Sequence, residues 1–385
     1  MNGRMRRTSF QLSLASVLLL LLAAACQRDG KGRGGAAASA SGADTTRRIT
    51  LLFAGDLMQH VTQINAARTA DGTYDYSSYF DKLADYIQGF DLAVANLEVT
   101  LGGKPYSGYP QFCAPDPYIY AIRDAGFDIL STANNHCCDT GRRGVERTIR
   151  MLDSLGLAHV GTYADTASRR RDYPLLVEKN GFRIAFLCYT YGTNGIPVPR
   201  GNVVNLIDRA QILADIRAAR AMQPDCIIAL MHWGIEYALL PTGEQRELAD
   251  WLFRNGVTHV IGGHPHVVQP MEVRTDSLGG RHFLAYSLGN FISNQWMENC
   301  DGGLMVALTL EKDTAVRLAD CSYSLQWVSR PPVSRRRNHR LYPVSYPQDS
   351  LNAEERRLMG RFAANARALF AKHNVGDIRE VPTYK

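Results

Sequence analysis

Short apolar runs alternate with longer segments of helical period from residue 48 onward. The strand-like runs are rich in β-branched and aliphatic residues, and they occupy residues 49–54, 92–95, 128–132, 184–189, 227–231, 259–261 and 283–287. Between them, segments with apolar residues three or four positions apart lie at 77–88, 118–125, 144–155, 207–222 and 243–255. Strands that alternate with helices predict a largely parallel β-sheet with helices packed outside it.

Two turn sequences interrupt this alternation. Asn180-Gly181 lies between two apolar runs, and Gly279-Gly280 lies between two others. Such dipeptides adopt the positive φ angles that a tight hairpin turn requires. The pattern therefore predicts an α/β fold in which layered, mixed β-sheets are flanked by helices.

The first 26 residues have the features of an export signal. Arg4, Arg6 and Arg7 precede an apolar run over 14–22, and three alanines then lead to Cys26. A basic start, a short apolar run and small residues before the cleavage site are typical of a secretory signal peptide. We predict a lipoprotein signal over residues 1–25, with Cys26 acylated after cleavage. The alternatives are a plain signal peptide and a membrane anchor, although the run is short for a membrane span.

The rest of the chain divides where its composition changes. Residues 26–47 are rich in Gly, Ala and Ser and form a predicted flexible tether from the lipidated Cys26. Residues 48–330 form the predicted main domain, and residues 331–385 a C-terminal extension with a basic run and a helical pattern. Acylation predicts a membrane-anchored protein of the bacterial cell envelope, on the periplasmic face or at the outer membrane.

Composition and charge argue against one class of partner. Hydrophobic residues make up 45% of the chain and charged residues 21%, which is ordinary for a globular protein. The net charge of +6 falls to +3 without residues 1–25, because that segment carries three arginines and no acid. We therefore predict no nucleic-acid binding, since no basic stretch is interleaved with aromatic residues. Cys188 and Cys226 lie in apolar runs and are predicted core residues.

Side chains of the metal-ligand type follow five of the strand-like runs directly. Because the carboxyl ends of parallel strands share one edge of an α/β sheet, we expect these segments to converge. Imidazole and carboxylate groups together bind Zn²⁺, Mn²⁺ or Fe ions. A site for two divalent ions needs one bridging carboxylate and further ligands for each ion. The candidate ligands are Asp56, Glu98, Asn135, His232, His264 and His266.

These segments resemble the CapA family, which is associated with synthesis of the poly-γ-glutamate capsule. The motifs that carry the resemblance are Gly55-Asp56-x-Met58, Asn96-Leu97-Glu98, Asn134-Asn135-His136, His232-Trp233-Gly234-x-Glu236, Gly263-His264-Pro265-His266 and Ser287-Leu288-Gly289-Asn290-Phe291. Together they cover roughly residues 48–300. The resemblance implies a fold similar to that of calcineurin-like metallophosphoesterases, with a dinuclear metal site.

The resemblance also implies a role for each candidate residue. Asp56 and His266 would bind one ion, and Glu98 would bridge it to the second. The remaining ligands of the second ion would be Asn135, His232 and His264. His136 would be the catalytic acid that protonates the leaving group. Residues expected to line the pocket or to support the ligands are His60, Asn96, Asn134, Trp233, Glu236 and Asn290.

One position departs from the phosphoesterase pattern. That pattern begins Asp-x-His, but Met58 stands where the histidine is expected. A thioether is a poor ligand for a hard ion, so we expect the first metal position to be weakened or empty. His60 would compensate if its loop folds back; otherwise it is a loop histidine that faces the cleft.

The predicted function is that of a metal-dependent hydrolase linked to capsule synthesis or export. Two ions would make hydroxide available near neutral pH and would stabilise the charge that develops during attack on a phosphoester. One alternative is a non-catalytic protein that binds or assembles an anionic capsule polymer. Another is an enzyme that cleaves amide bonds of a peptide-like polymer. Expected partners are the membrane, the anionic polymer or phosphoester substrate, and capsule synthesis or export proteins.

Overall fold

Two large β-sheets form the centre of the fold in the computed structural model, which describes residues 46–383. Within that range one sheet has nine strands, another has six, and two short strands pair separately. The strands are β1 (Arg47–Leu57), β2 (Leu92–Leu97), β3 (Ile129–Ser131), β4 (Ala158–Val160), β5 (Thr162–Tyr163), β6 (Leu175–Lys179), β7 (Phe182–Thr190), β8 (Val203–Val204), β9 (Cys226–His232), β10 (His259–Gly263), β11 (Met271–Thr275), β12 (Arg281–Ala285), β13 (Asn290–Ile292), β14 (Gly302–Lys312), β15 (Val316–Ser329), β16 (Arg340–Pro343) and β17 (Arg379–Glu380).

Helices connect many of these strands. In the described range they are α1 (Val61–Ala67), α2 (Ala84–Gln88), α3 (Asp116–Asp124), α4 (Gly141–Ser154), α5 (Thr166–Asp172), α6 (Arg209–Ala221), α7 (Gly243–Arg254), α8 (Pro331–Ser334) and α9 (Ala353–His373), with a short 3₁₀ helix at Gln348–Ser350. Several begin at a residue whose side chain accepts a hydrogen bond from the first turn. Asp208, Thr242 and Asn352 do so for α6, α7 and α9, and this stabilises each helix start.

Both sheets are mixed. The larger sheet has the order β16-β15-β14-β1-β2-β3-β4, with β13 also paired to β1 and β17 to β15. The pairs β1–β2, β2–β3 and β3–β4 are parallel, whereas β1–β14 and β14–β15 are antiparallel. The smaller sheet has the order β11-β12-β10-β9-β7-β6, with parallel strands at its centre. The predicted α/β fold of mixed sheets flanked by helices is confirmed.

Strand β1 shows how the two sides of the larger sheet are packed. Leu51 and Phe53 lie in the same apolar cluster as Phe186 of β7, between the two sheets. Leu52, one position along, lies in a second cluster with Ile119 of α3. Successive side chains of a strand point to opposite faces, so a continuous apolar run such as that of β1 buries both faces.

Both predicted hairpins are present. Lys179 pairs with Phe182 across a two-residue turn in which Asn180 has a φ of 52° and Gly181 a φ of 77°. Strands β11 and β12 form the second antiparallel pair.

Two regions differ from the expectation. The predicted helix over 77–88 is helical only from Ala84, because the backbone oxygen of Tyr79 accepts a hydrogen bond from Leu341 N instead of closing a helical turn. The long antiparallel strands β14 and β15 lie where no strand was predicted. Almost all of the first nine residues of β14 are buried. Its sequence therefore lacks the alternation of polar and apolar residues that marks a half-exposed strand.

The segment after Arg330, treated above as an extension, shares the larger sheet. Strand β16 pairs with β15, and Met359 and Phe362 of α9 lie in the core between the sheets. The predicted signal over 1–25 and nearly all of the predicted tether over 26–47 lie outside the described residues. Along residues 46–383 no helix is long and apolar enough to cross a membrane.

Candidate metal centre

Strand ends deliver the predicted ligands to one place. Asp56 is the penultimate residue of β1 and pairs in register with Asn96 of β2. His232 ends β9 and pairs with Gly263, the last residue of β10, so His264 follows at the same level. Parallel pairing sets the carboxyl ends of neighbouring strands side by side. The ligands of both sheets therefore emerge at a common edge.

Glu98 occupies the centre of the cluster. Its Oε1 atom lies 3.7 Å from His232 Nε2 and 3.9 Å from His266 Nε2. This carboxylate belongs to two groups of potential ligand atoms. Within each group, all of the ligand atoms lie within 4.8 Å of one another. One group adds His264 and His266, and the other adds Asp56 and His232. A carboxylate common to two groups is the arrangement that a bridging ligand needs.

The other predicted ligands contact the same histidines. Asn135 Oδ1 lies 2.7 Å from His232 Nε2, and the ring centres of His232 and His264 are 4.9 Å apart. Asp56 Oδ2 lies 3.4 Å from His266 Nδ1. The structure thus brings the six predicted ligands together, while the assignment of each ligand to a particular ion stays a prediction.

Burial governs the charges of this cluster. Asp56 and Glu98 are fully buried, and the three histidines are at most 3% exposed. Burial, followed by the nearby Asp56 carboxylate, raises the pKa of Glu98 well above its usual range. Burial also lowers the pKa of His264 to about 3 and the pKa of His232 well below its usual range. His232 and His264 are therefore neutral at pH 7, the form that binds metal ions.

Unpaired buried atoms show that cations fit this cavity. Glu98 Oε1 and His264 Nδ1 have no hydrogen-bond partner within the described range. In that range the ion pairs of Asp56 and Glu98 involve only histidines, without Lys or Arg. Burying carboxylates without a compensating cation is costly. A divalent ion would neutralise both acids, and the imidazole, carboxylate and amide donors suit Zn²⁺, Mn²⁺ or Fe.

The backbone that carries two of the histidines is strained. His264 has a φ of 97° and His266 a φ of 59°, values that residues other than glycine seldom adopt. An added Cβ at Gly263 would lie 3.0 Å from Asp56 Oδ1, so this loop lies directly against the carboxylate. Such strain persists where surrounding contacts impose it, and it is concentrated at functional sites.

Two asparagines position the carboxylates. Asn96 Nδ2 donates to Asp56 Oδ1 over 2.8 Å and to Glu98 Oε2 over 3.2 Å. Asn134 Nδ2 in turn donates to Asn96 Oδ1 over 3.1 Å. Groups behind the ligands in this way fix the orientation of the ligand oxygens.

Asn290 connects His266 to the loop that follows β13. Its Oδ1 lies 3.1 Å from His266 Nδ1, and its Nδ2 donates to Gln295 Oε1 and to the backbone oxygen of Cys300. Since Oδ1 accepts hydrogen bonds, it favours the tautomer of His266 with the proton on Nδ1. Nε2 is then the nitrogen available to an ion.

His136 lies beside the cluster and is oriented by Asp139, a residue absent from the predicted set. His136 Nδ1 lies 2.7 Å from Asp139 Oδ2, and the same oxygen accepts a hydrogen bond from Phe112 N. The Phe112 ring packs edge-on against the imidazole, with ring centres 4.6 Å apart. His136 Nε2 lies 3.4 Å from Asn194 Nδ2. The ring is thus held from the Nδ1 side, and its Nε2 remains the nitrogen for proton transfer.

Further residues at the site were not predicted. Asn194 Oδ1 accepts a hydrogen bond from Asn135 Nδ2 over 3.2 Å, and the Tyr191 ring centre lies 4.5 Å from that of His264. Both belong to the loop after β7, which carries no histidine or carboxylate next to the strand. Asp139 could have been found from the sequence, because it lies only three residues after His136.

Met58 and His60 lie outside both ligand groups found among the described residues. Met58 is buried in the apolar cluster on the helical side of β1. His60 Nδ1 accepts a hydrogen bond from Asn294 N, and burial lowers the pKa of His60 to about 4. His60 is thus neutral at pH 7 and accepts a hydrogen bond from the loop after β13. Its role as a substitute metal ligand stays a prediction.

Trp233 and Glu236 occupy different environments. Trp233 is buried, and its Nε1 donates to the backbone oxygen of Tyr286 over 2.9 Å, so it packs within the smaller sheet. Glu236 is exposed, but its charge helps to raise the pKa of Glu98. Its carboxylate is therefore close enough to Glu98 to act on it electrostatically.

Comparison with known families shows to which family the chain belongs. The family described as bacterial capsule synthesis protein PGA_cap matches residues 50–295, which is more than half of the chain. This chain belongs to the PGA_cap family. The match covers all six predicted ligands, and the resemblance to the CapA family is confirmed.

Two named relatives are similar to this chain over most of its length. Capsule biosynthesis protein CapA of Bacillus anthracis is 27% identical over 70% of this chain and 66% of its own length. PGA biosynthesis protein CapA of Bacillus subtilis is 26% identical over 74% of this chain and 73% of its own. Among solved structures, NAD nucleotidase of Haemophilus influenzae aligns over 84% of this chain and 68% of its own, with 14% identity and a TM-score of 0.45.

Proposed function

We propose that this PGA_cap protein is a metal-dependent hydrolase that cleaves a phosphoester during synthesis or export of a capsule polymer. The observation that carries the proposal is the position of Glu98, fully buried and shared by two groups of ligand atoms. A protein that only binds a polymer has little need for two buried carboxylates surrounded by neutral histidines. The cost of burying them is offset when cations bind.

Six side chains would hold the ions, with Glu98 available to both. The complete set is Asp56, Glu98, Asn135, His232, His264 and His266. Two divalent cations held there would supply Lewis-acid polarisation of a phosphoryl oxygen and would lower the pKa of water. Asn96 keeps both carboxylates oriented, so the ligands need little rearrangement.

His136 is the proposed proton donor to the leaving oxygen. Its Nδ1 is held by Asp139, which leaves Nε2 to transfer the proton. The Asn135 and Asn194 amides lie beside it and provide donors for negative charge on the phosphoryl group. Tyr191, 46% exposed, lies over His264 and forms part of the cavity wall.

The proposed location is the bacterial cell envelope, with the chain anchored through acylated Cys26. The predicted signal and tether support this location. Two relatives are named for capsule and PGA biosynthesis, which supports a capsule polymer or its phosphorylated precursor as the substrate. Proteins of capsule synthesis or export are the proposed partners.

Metal content and turnover test the proposal together. The purified chain should contain close to two equivalents of Mn, Zn or Fe by elemental analysis, and it should hydrolyse generic aryl phosphates in a chelator-sensitive manner. His136→Ala should retain the metal and lose turnover by about 10²–10⁴-fold. His159→Ala is the matched control, because His159 also pairs with an aspartate, at 3.0 Å, but lies outside the cluster.

The rival function predicts a different result. If the protein is a metal-dependent binder of an anionic polymer, neither the wild type nor His136→Ala will turn over any phosphoester, and both will keep the metal. No turnover with any of the three metals in a fully loaded protein would refute the hydrolase proposal.

A further inference from the structure

Arg330 is a buried arginine without a carboxylate partner in the described part of the chain. It is 5% exposed, and within residues 46–383 it forms no ion pair with a carboxylate. Its Nη2 donates to the backbone oxygen of Gln295, but its buried Nε has no hydrogen-bond partner in that range. Arginine stays protonated in proteins, so a permanent positive charge is buried here largely unneutralised.

A chain of contacts joins this arginine to the metal centre. It passes through Gln295, in the loop after β13, and through Asn290 of β13. Gln295 accepts a hydrogen bond from Asn290, which contacts His266, and the backbone oxygen of Gln295 contacts Arg330. In the same loop, Asn294 N donates to His60. Arg330 is therefore linked to a predicted metal ligand through two intervening residues.

An exposed aromatic residue covers the guanidinium. The Trp296 ring centre lies 4.7 Å from Arg330 Cζ, and Trp296 is 58% exposed. Its neighbour Met297 is also exposed, at 44%. The Trp296 ring is thus exposed on one side and contacts the guanidinium on the other, so an exposed side chain separates this buried charge from solvent.

Asp301 is the alternative partner for this charge. It is 5% exposed, and its Oδ2 accepts a hydrogen bond from Trp327 Nε1 over 3.0 Å. Its Oδ1 has no partner among the described residues, and it makes no direct ion pair with Arg330. Asp301 therefore moderates the local potential without occupying the donors of the guanidinium.

We propose that Arg330 and Trp296 form a subsite for a second oxyanion of the substrate, beside the metal centre. The anion is a carboxylate or a phosphate, both of which guanidinium binds through two parallel hydrogen bonds. This proposal rests on the proposed function, because the anion belongs to the molecule that the metal centre processes. The subsite selects substrates with repeated negative charge: one group reaches the metal ions while another reaches Arg330.

Equilibrium binding to the metal-loaded full chain tests the subsite without requiring turnover. The probes for calorimetry are a γ-linked glutamate oligomer, tripolyphosphate, and a γ-linked isoglutamine oligomer, in which carboxamides replace the α-carboxylates. Arg330→Gln should weaken binding of a charged probe by about 10- to 100-fold, as expected for loss of charge-assisted hydrogen bonds. Arg330→Lys should lose less. Arg217→Gln is the matched control, because Arg217 is exposed on α6 and should leave binding unchanged.

The outcomes separate the possibilities. A loss confined to the glutamate oligomer identifies a carboxylate, and a loss confined to tripolyphosphate identifies a phosphate. Equal affinity of Arg330→Gln and the wild type for both charged probes would overturn the proposal. So would an Asp301→Asn variant that lowers Tm as much as Arg330→Gln does while neither change affects binding.

A variant with a surface substitution covers the case in which Arg330 variants do not fold. Trp296→Ala removes the ring that covers the guanidinium and should strengthen binding of the charged probe several-fold, and unchanged affinity would count against the subsite. Failure of the proposed function is recognised separately, as absence of turnover by the metal-loaded wild type.

Discussion

Replacing the central carboxylate should change stability in opposite directions with and without metal. Glu98→Gln keeps the shape of the side chain and removes an ionisable carboxyl that is fully buried beside Asp56. In the metal-free protein this change should be stabilising above pH 4.5, because the folded variant no longer holds a carboxyl whose ionisation is opposed by burial and by Asp56. With metal present it should be destabilising relative to the wild type, because the shared ligand is lost.

The size of both effects follows from the geometry. One oxygen of Glu98 and one of Asp56 lie within 4.8 Å of each other. At an effective dielectric constant of about 20, ionising Glu98 beside a charged Asp56 at that separation would cost about 3.5 kcal/mol, which sets the order of magnitude of the gain in the metal-free variant. Metal at 1,000 times its Kd stabilises the wild type by about 4 kcal/mol, and the variant should lose most of that gain.

The pH dependence of the metal-free protein has a definite sign. Because the folded pKa of Glu98 is raised, its favourable contribution is complete below the unfolded pKa of 4.5 and is lost as the pH rises toward the folded value. The stability advantage of Glu98→Gln should therefore grow as the pH rises from 4.5 to 7.

Urea unfolding in chelator and in saturating Mn²⁺ or Zn²⁺ measures these differences, followed by circular dichroism. Glu244→Gln is the control, because Glu244 is exposed at the start of α7 and should change stability by only a few tenths of a kcal/mol. The reasoning would be refuted if Glu98→Gln destabilised the chelated protein, or if metal stabilised the variant as much as the wild type.

Other substitutions test the packing and proton positions directly. His259 accepts a hydrogen bond at Nδ1 from Phe283 N, and burial lowers its pKa to about 3, so its contribution to stability is lost as the pH falls below 6.5. The free energy of unfolding of the wild type, measured by urea titration, should therefore fall between pH 7 and pH 5, and His259→Asn should make that fall smaller by about 2 kcal/mol. An unchanged dependence of the unfolding free energy on pH would contradict this. Gly55→Ala would place a Cβ 1.9 Å from the Gly289 oxygen and should lower the free energy of unfolding by about 3 kcal/mol or more. A Tm equal to that of the wild type would contradict this prediction. Asp139→Asn should retain metal by elemental analysis but lower kcat for aryl phosphates by about 10²-fold, since the ring of the proposed acid loses its orienting carboxylate; equal kcat would exclude that role.

Much of the site was predictable because strand ends are local features. Asp56, His232 and His264 each stand at or directly after the end of an apolar run, and parallel pairing requires such ends to meet. That inference needs only the period of the apolar residues and their residue types. It does not need the order of strands in the sheets.

Contacts made across long sequence distances could not be predicted in the same way. Asn194 reaches His136 from a loop 58 residues away, and nothing in its local sequence marks it as part of the site. Arg330 lay at the boundary assigned to an extension, yet it is buried behind the loop after β13. Both positions depend on how separate segments pack against each other.

The amino-acid sequence by itself determined the alternation of strands and helices, the hairpin turns and the residue types at the strand ends. These properties follow from backbone geometry and from side-chain periods of 2.0 and 3.6, which act over a few residues. Only the tertiary structure decided that Glu98 is shared by two ligand groups, that Met58 belongs to the core, and that β14 and β15 complete the larger sheet. Those outcomes depend on burial and on pairing between distant segments, whose free energy arises only when the whole chain is packed.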